Sequence, residues 1–87
     1  MKDNNAKLEA LKDEIRDIDA KIVLLLNQRA DFSTELNNLK NKLDLPLYDR
    51  IEEMEIMENL EDISAYTNMI DTIYPGILKY ARSLYED

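Results

Sequence analysis

The chain contains no histidine and no cysteine. Without histidine the usual general base near neutral pH is missing, and histidine zinc sites are excluded. Without cysteine there is no thiolate nucleophile, thiolate metal ligand or disulfide staple, and the redox compartment cannot be read. One glycine and two prolines, with no Asn-Gly or Asp-Gly dipeptide, leave almost nothing from which to build hairpin turns. Long hydrophobic runs are absent too. The longest is Ile22–Leu26, far too short to span a bilayer, and no signal-peptide hydrophobic region opens the chain, so a cytoplasmic protein without a membrane partner is expected. Basic residues are the minority, 11 Lys and Arg against 19 Asp and Glu. The resulting net charge of −8 repels phosphate backbones and argues against nucleic-acid binding.

What is present points to helices. At 87 residues the chain is one small domain, read here as spanning 1–87, near the size where a single core becomes marginal. Its 45% hydrophobic and 34% charged content fits a globular or bundle-like fold and not a disordered one. From Leu8 an apolar stripe runs through Leu11, Ile15, Ile18, Ile22, Leu25, Arg29, Phe32, Leu36, Leu39 and Leu43, in alternating steps of three and four. That is a heptad seam, uninterrupted by Pro or Gly, and it predicts one helix from about Ala6 to about Lys42, with Asn4 or Asn5 as the N-cap of a frayed start. About 36 residues make a rod of roughly 54 Å. A compact chain of this length has a radius of gyration of only about 12 Å. One helix therefore overshoots any globule the chain can make alone, and a two-fold dimer that covers the seam is expected.

Pro46 breaks the helix and biases Leu45 towards extended conformations. Asp49 then caps a second, short helix, about Arg50 to Asn59, with Glu52 completing a capping-box-like pattern. Glu61-Asp62 reads as a tight connection. A third helix of medium length follows from about Ile63 to Leu84, kinked and not ended at Pro75 because the apolar period continues beyond it.

One seam position breaks its own rule. Arg29 stands where the ten other positions are apolar. An arginine directed into a helix interface needs an anion, and the sequence leaves two candidates open, an acidic residue within the bundle or a bound ligand. Lys40 lies eleven residues on, within about 20° of the same face and roughly 16.5 Å along the axis, a gap that two long side chains can close on one small dianion. Taken alone, Lys40 reads as a solvated lysine near a helix C-terminus.

The segment LEALKDEIRDIDAKIVLLLNQRADFSTELNNLKNKL, followed by LPLYDR, closely resembles the all-helical chorismate mutases. The LxxLxxxIxxID opening, the seam arginine, the lysine eleven residues later and the Pro46-Leu47-Tyr48-Asp49 turn match in order. The resemblance is strongest over Leu8–Glu53 and weakest after Asp62. It implies an all-α fold of three helices per chain, an intertwined homodimer with two sites shared between chains, and the Claisen rearrangement of chorismate to prephenate in aromatic amino-acid biosynthesis. That reaction needs no metal, cofactor, nucleophile or proton transfer. The site holds a dicarboxylate in a chair-like shape and stabilises charge growing on its ether oxygen.

By position, the resemblance assigns Arg29 to a substrate carboxylate, Lys40 to the ether oxygen and a carboxylate, Glu53 to the substrate hydroxyl and Asp49 to the entrance of the second helix. Lys12 stands where the family has an arginine reaching in from the other subunit, and keeps the charge but not the bidentate fork. Lys12 and Arg29 are about 25 Å apart along one helix, so only a two-chain site brings both to one ligand. Three positions depart. Glu52 sits where the family usually has an arginine, with Arg50 nearby and a capping role of its own. Ala81 falls at the family's serine. Tyr85 falls at the glutamine, or sometimes glutamate, that donates to the ether oxygen, and is either a hydroxyl donor or a surface aromatic. The departures leave a second functional reading, a catalytically weak or inactive mutase-like dimer serving as a ligand-binding or interaction module. Pyruvate elimination from isochorismate on the same scaffold and a plain coiled-coil assembly domain are further alternatives, and the last gives Arg29 no purpose.

Overall fold

A computed structural model describes residues 2–86, which form three α-helices and, among the described residues, no strand. Met1, the first residue of the expected frayed start, lies outside them. Helix α1 spans Lys2–Lys42, α2 Arg50–Ile63 and α3 Met69–Arg82. No helix among them is long and apolar enough to cross a membrane.

The long helix begins earlier than its seam requires. Asn4 and Asn5 lie within the first turns instead of capping them, and Asp3 there complements the positive end of the helix dipole. Its C-terminus closes with the Leu45 N–H on the Lys40 carbonyl (2.8 Å) and the Asp44 N–H on the Asn41 carbonyl (3.2 Å). This is the Schellman arrangement, and it needs a left-handed residue, here Asp44 at φ 56°. Pro46 follows two residues later, where the helix cannot resume.

Asp49 caps α2 as its sequence position predicts. Its Oδ1 accepts the N–H of Ile51 (3.0 Å) and of Glu52 (3.1 Å), satisfying two of the orphan donors of the first turn. The second helix then runs through Glu61-Asp62, the pair expected to form the connection, and ends at Ile63. Acidic side chains alone do not stop a helix. The break falls at 64–68, where the Ser64 hydroxyl accepts the Tyr66 N–H (3.2 Å) and donates to the Tyr66 carbonyl (3.1 Å), giving the backbone a local alternative to the helix. Asn68, left-handed at φ 66°, then redirects the chain into α3. At this junction the Glu61 carboxyl is held above its ordinary range, first by its hydrogen bond with the Asp71 carboxyl and then by that group's charge.

The third helix continues through Pro75, as its period implies, but starts at Met69 and not Ile63, and ends at Arg82 and not Leu84. It equals α2 at 14 residues instead of exceeding it. Helix α3 packs against both α1 and α2 and is the central element. Its Ile70 and Leu78, two turns apart, are the buried apolar residues among those described.

So small a core leaves the rest of the apolar stripe wet. Leu8, Leu11, Ile15, Ile18, Ile22 and Leu25 are each 47–62% exposed. The molecule measures 62 × 27 × 15 Å with a radius of gyration of 17.6 Å, against about 12 Å for a compact chain of this length.

The Asp44 turn sets where α2 begins relative to α1, and its backbone conformation is testable. Asp44→Val forces a β-branched residue into the left-handed region and is expected to cost about 1–2 kcal/mol in urea unfolding, whereas Asp44→Gly is expected to be neutral or stabilising.

Candidate active site

A pocket of about 90 Å³ lies where the C-terminal turns of α1, the first turns of α2 and the last turn of α3 converge. Helix α1 contributes Arg29, Ser33, Leu36, Asn37 and Lys40 at helical spacings that hold them on one side. Leu47 comes from the connection, Glu52, Glu53 and Ile56 from α2, and Leu78, Ala81 and Arg82 from α3.

Asn37 fixes how α3 meets this face. It is only 5% exposed, and its Nδ2 donates to the carbonyls of Ala81 (2.7 Å) and Leu84 (2.8 Å). The Ala81 carbonyl also accepts the Leu84 N–H (3.2 Å), so the Asn37 amide joins the turn that closes α3. Asn38 completes the hold, its Oδ1 accepting the Glu86 N–H at 2.8 Å. Two adjacent asparagines of α1 thus anchor the end of α3, and with it Arg82.

Arg82 is aimed at α2. Its Nη1 donates to both carboxylate oxygens of Glu53, at 2.5 and 2.6 Å, and its guanidinium lies 4.8 Å from the centroid of the Tyr48 ring. The charge-assisted pair and the cation–π contact together hold Glu53 and Arg82 in a single geometry. On the facing side Lys40 Nζ sits 3.2 Å from Glu52 Oε2. The carboxylate of Glu52 is therefore spent on Lys40 and not on the reciprocal half of a capping box.

Arg29 is different. It is half-buried, and its Nη1 reaches only the Ser33 hydroxyl, at 3.4 Å. Among the described residues no carboxylate lies within ion-pair distance of it. Of the two anions the sequence leaves open for Arg29, an acidic residue of the bundle is not found beside it among the described residues. The pocket carries three cations, Arg29, Lys40 and Arg82, against two carboxylates, Glu52 and Glu53. In a chain of net charge −8 this is a local positive site.

The structure thus brings Arg29, Lys40 and Glu53 to one pocket and leaves three other expected residues outside it. Asp49 is exposed at the α2 cap, two residues from the pocket-lining Leu47. Lys12 is far up α1, paired with Glu9 at 3.5 Å on the open surface. Tyr85 lies beyond the end of α3, half exposed and not lining the pocket. Ala81 does line the pocket, and Glu52 meets Lys40 there. Sequence reasoning missed Asn37 and Arg82. The i, i+3, i+4 set Leu78, Ala81, Arg82 carries a faint signal for the second, and a polar pair of poor helix formers inside a long helix for the first.

Guanidinium and ammonium groups around a small part-buried cavity bind carboxylates and stabilise developing negative charge. No histidine or thiol stands by to take a proton, and Ser33 has no adjacent base among its recorded partners. The arrangement is suited to holding and polarising an anionic ligand. The family model for chorismate mutase type II matches residues 11–86, and the chain belongs to that family. Its members are isomerases that act on chorismate. No curated protein and no solved structure matches the chain.

The clasp on α3 can be tested apart from any chemistry. Asn37→Ala removes both donors from the Ala81 and Leu84 carbonyls and is expected to cost about 1–3 kcal/mol in chemical denaturation. An unchanged midpoint would mean that the Asn37 bonds contribute nothing net to holding α3.

Proposed function

We propose that the chain catalyses the Claisen rearrangement of chorismate to prephenate, in the cytoplasm and in the service of aromatic amino-acid biosynthesis. The observation that carries this reading is Arg29, a half-buried guanidinium without a carboxylate, facing the same pocket as Lys40. In the reaction an ether C–O bond breaks while a C–C bond forms within one molecule, so no group is transferred and no proton moves. Arg29 binds one carboxylate, Lys40 supports the other and the ether oxygen as it gains charge, and Glu53, fixed by Arg82, accepts the substrate hydroxyl. Asp49 acts at one remove, by setting the first turn of α2 that presents Glu53. Held in the chair-like shape, the substrate is left with little reorganisation before the transition state.

The active form in this reading is a homodimer with sites shared between chains. A pocket of about 90 Å³ is well below the several hundred Å³ usual for a ligand of this size, so one chain offers an incomplete site. Beside it, α1 and α3 frame an apolar groove of about 340 Å³, lined in part by Leu26, Ile73, Ile77, Tyr80 and Leu84. That groove and the wet Leu8–Leu25 stripe are the surfaces a second copy covers, and covering them carries Lys12 of that copy towards this pocket. The chain is expected to sediment as a dimer at micromolar concentration and to lose helicity on dilution. A folded monomer at every concentration would remove the shared site and Lys12 with it.

A second reading, the mutase-like dimer without turnover, draws on Glu52 seated on Lys40 and on Tyr85 outside the pocket. Turnover of chorismate by the purified chain separates the two, and Arg29→Ala identifies the residue responsible. Loss of a charge-assisted contact in a dry site is expected to lower kcat/KM by orders of magnitude. The free melting temperature should hardly move, since no internal partner is stranded, while the rise on adding a transition-state analogue should vanish. A large drop in the free melt with the ligand-induced rise intact would sink the catalytic assignment.

A further inference from the structure

The two adjacent glutamates of α2 hold their cations in unlike ways. Glu53 gives both oxygens to Arg82, which is itself stacked on Tyr48, and the pair is largely out of solvent. Glu52 uses one oxygen, on Lys40 at 3.2 Å, and its side chain is 45% exposed against 14% for that of Lys40. The ammonium is thus nearly desolvated and requires an anion, while the carboxylate that serves it sits at the rim with an open path to water. We propose that Glu52 is a displaceable internal ligand of Lys40, occupying the place that a substrate carboxylate takes on binding. The proposal rests on the mutase reading of this pocket and goes beyond it by naming what the substrate must displace.

The exchange is physically cheap. One carboxylate replaces another on the same ammonium, so Lys40 is never left unpaired. Only the Glu52 side chain moves, because its backbone N–H is held by the Asp49 cap. Swung outward, Glu52 still lies in the first turn of α2, where a negative charge is favoured by the helix dipole. The local charge also becomes fitting. With Glu52 in place the pocket's ionic side chains sum to one positive charge. With Glu52 outside it, Arg29, Lys40 and Arg82 against Glu53 sum to two, the complement of a dicarboxylate. Glu53 cannot make the same exit without breaking both of its contacts with Arg82 Nη1, so it stays as a permanent wall and acceptor.

The consequence is that Glu52 taxes binding more than chemistry. In the full-length dimer, Glu52→Gln is expected to lower the KM for chorismate, and the Kd of a transition-state analogue measured by calorimetry, by roughly three- to tenfold, with a smaller change in kcat. Glu52→Asp, too short to reach Lys40 from the same backbone, is expected to move both constants in the same direction. Glu55→Gln removes the same charge from an exposed position of α2 outside the pocket and is expected to change either constant less than twofold. Turnover in the wild type with KM and Kd unchanged or raised in both Glu52 variants overturns the displacement. An equal fall in Glu55→Gln also overturns it, in favour of bulk charge. Neither turnover nor analogue binding in wild type and variants alike overturns the mutase reading itself, and the displacement with it.

Discussion

A single uninterrupted helix of 41 residues sets the dimensions that the rest of the chain must answer to. At about 1.5 Å per residue it is as long as the whole molecule, and the two 14-residue helices that follow are too short to cover it. They fold back only along its C-terminal part, from Arg29 to Lys40, where the pocket forms. The N-terminal half is left as an apolar stripe in water. The same constraint that exposes the seam therefore also decides where the pocket sits, at the end of α1 where the three helices meet.

At that end the problem is electrostatic. Burying cations in an acidic protein is easy if each is neutralised, and two of the three are: Lys40 by Glu52 and Arg82 by Glu53. These pairs are better read as specifying geometry than as sources of stability, because the desolvation of both partners offsets much of their attraction. The contact of Arg82 Nη1 with both oxygens of Glu53 fixes the orientation of that carboxylate, and the Asn37 clasp fixes Arg82 in turn by holding carbonyls on either side of it, at Ala81 and Leu84. Arg29 is the group left over. Its half-buried position with only a serine hydroxyl at 3.4 Å is a cost to the free protein that an anion would relieve.

Much of this was legible in the residues, and the parts that were not have separate physical causes. The seam, the Pro46 break and the Asp49 cap are local patterns, each readable from a few consecutive positions, and they lie where the chain resembles its family most closely. The α2–α3 boundary misled because Glu61-Asp62 looks polar enough for a turn, whereas the stop comes from a serine hydroxyl bonding its own backbone and a left-handed asparagine. Asn37 and Arg82 were invisible for another reason. Their partners are 44 and 29 residues away, and no local pattern encodes a contact at that separation. Tyr85 was assigned to the site by resemblance to the family's last helix, whereas here α3 ends at Arg82, three residues before it.

The lack of histidine and cysteine takes on a different meaning beside this geometry. A unimolecular rearrangement asks for a fixed shape and a fixed field, not for a group that changes its protonation state. The pocket is built from such fixed elements: a guanidinium stacked on a ring, a carboxylate gripped through both oxygens, and an asparagine whose two donors are both committed. Against that rigid set, the contact of Glu52 with Lys40 is the looser of the pocket's two ion pairs, made through a single oxygen at 3.2 Å. A preorganised site gains rate by having little left to rearrange, and it can admit a charged ligand only if some element yields. In the proposed displacement, concentrating that freedom in one rim carboxylate leaves the rest of the pocket wall undisturbed while the ligand enters.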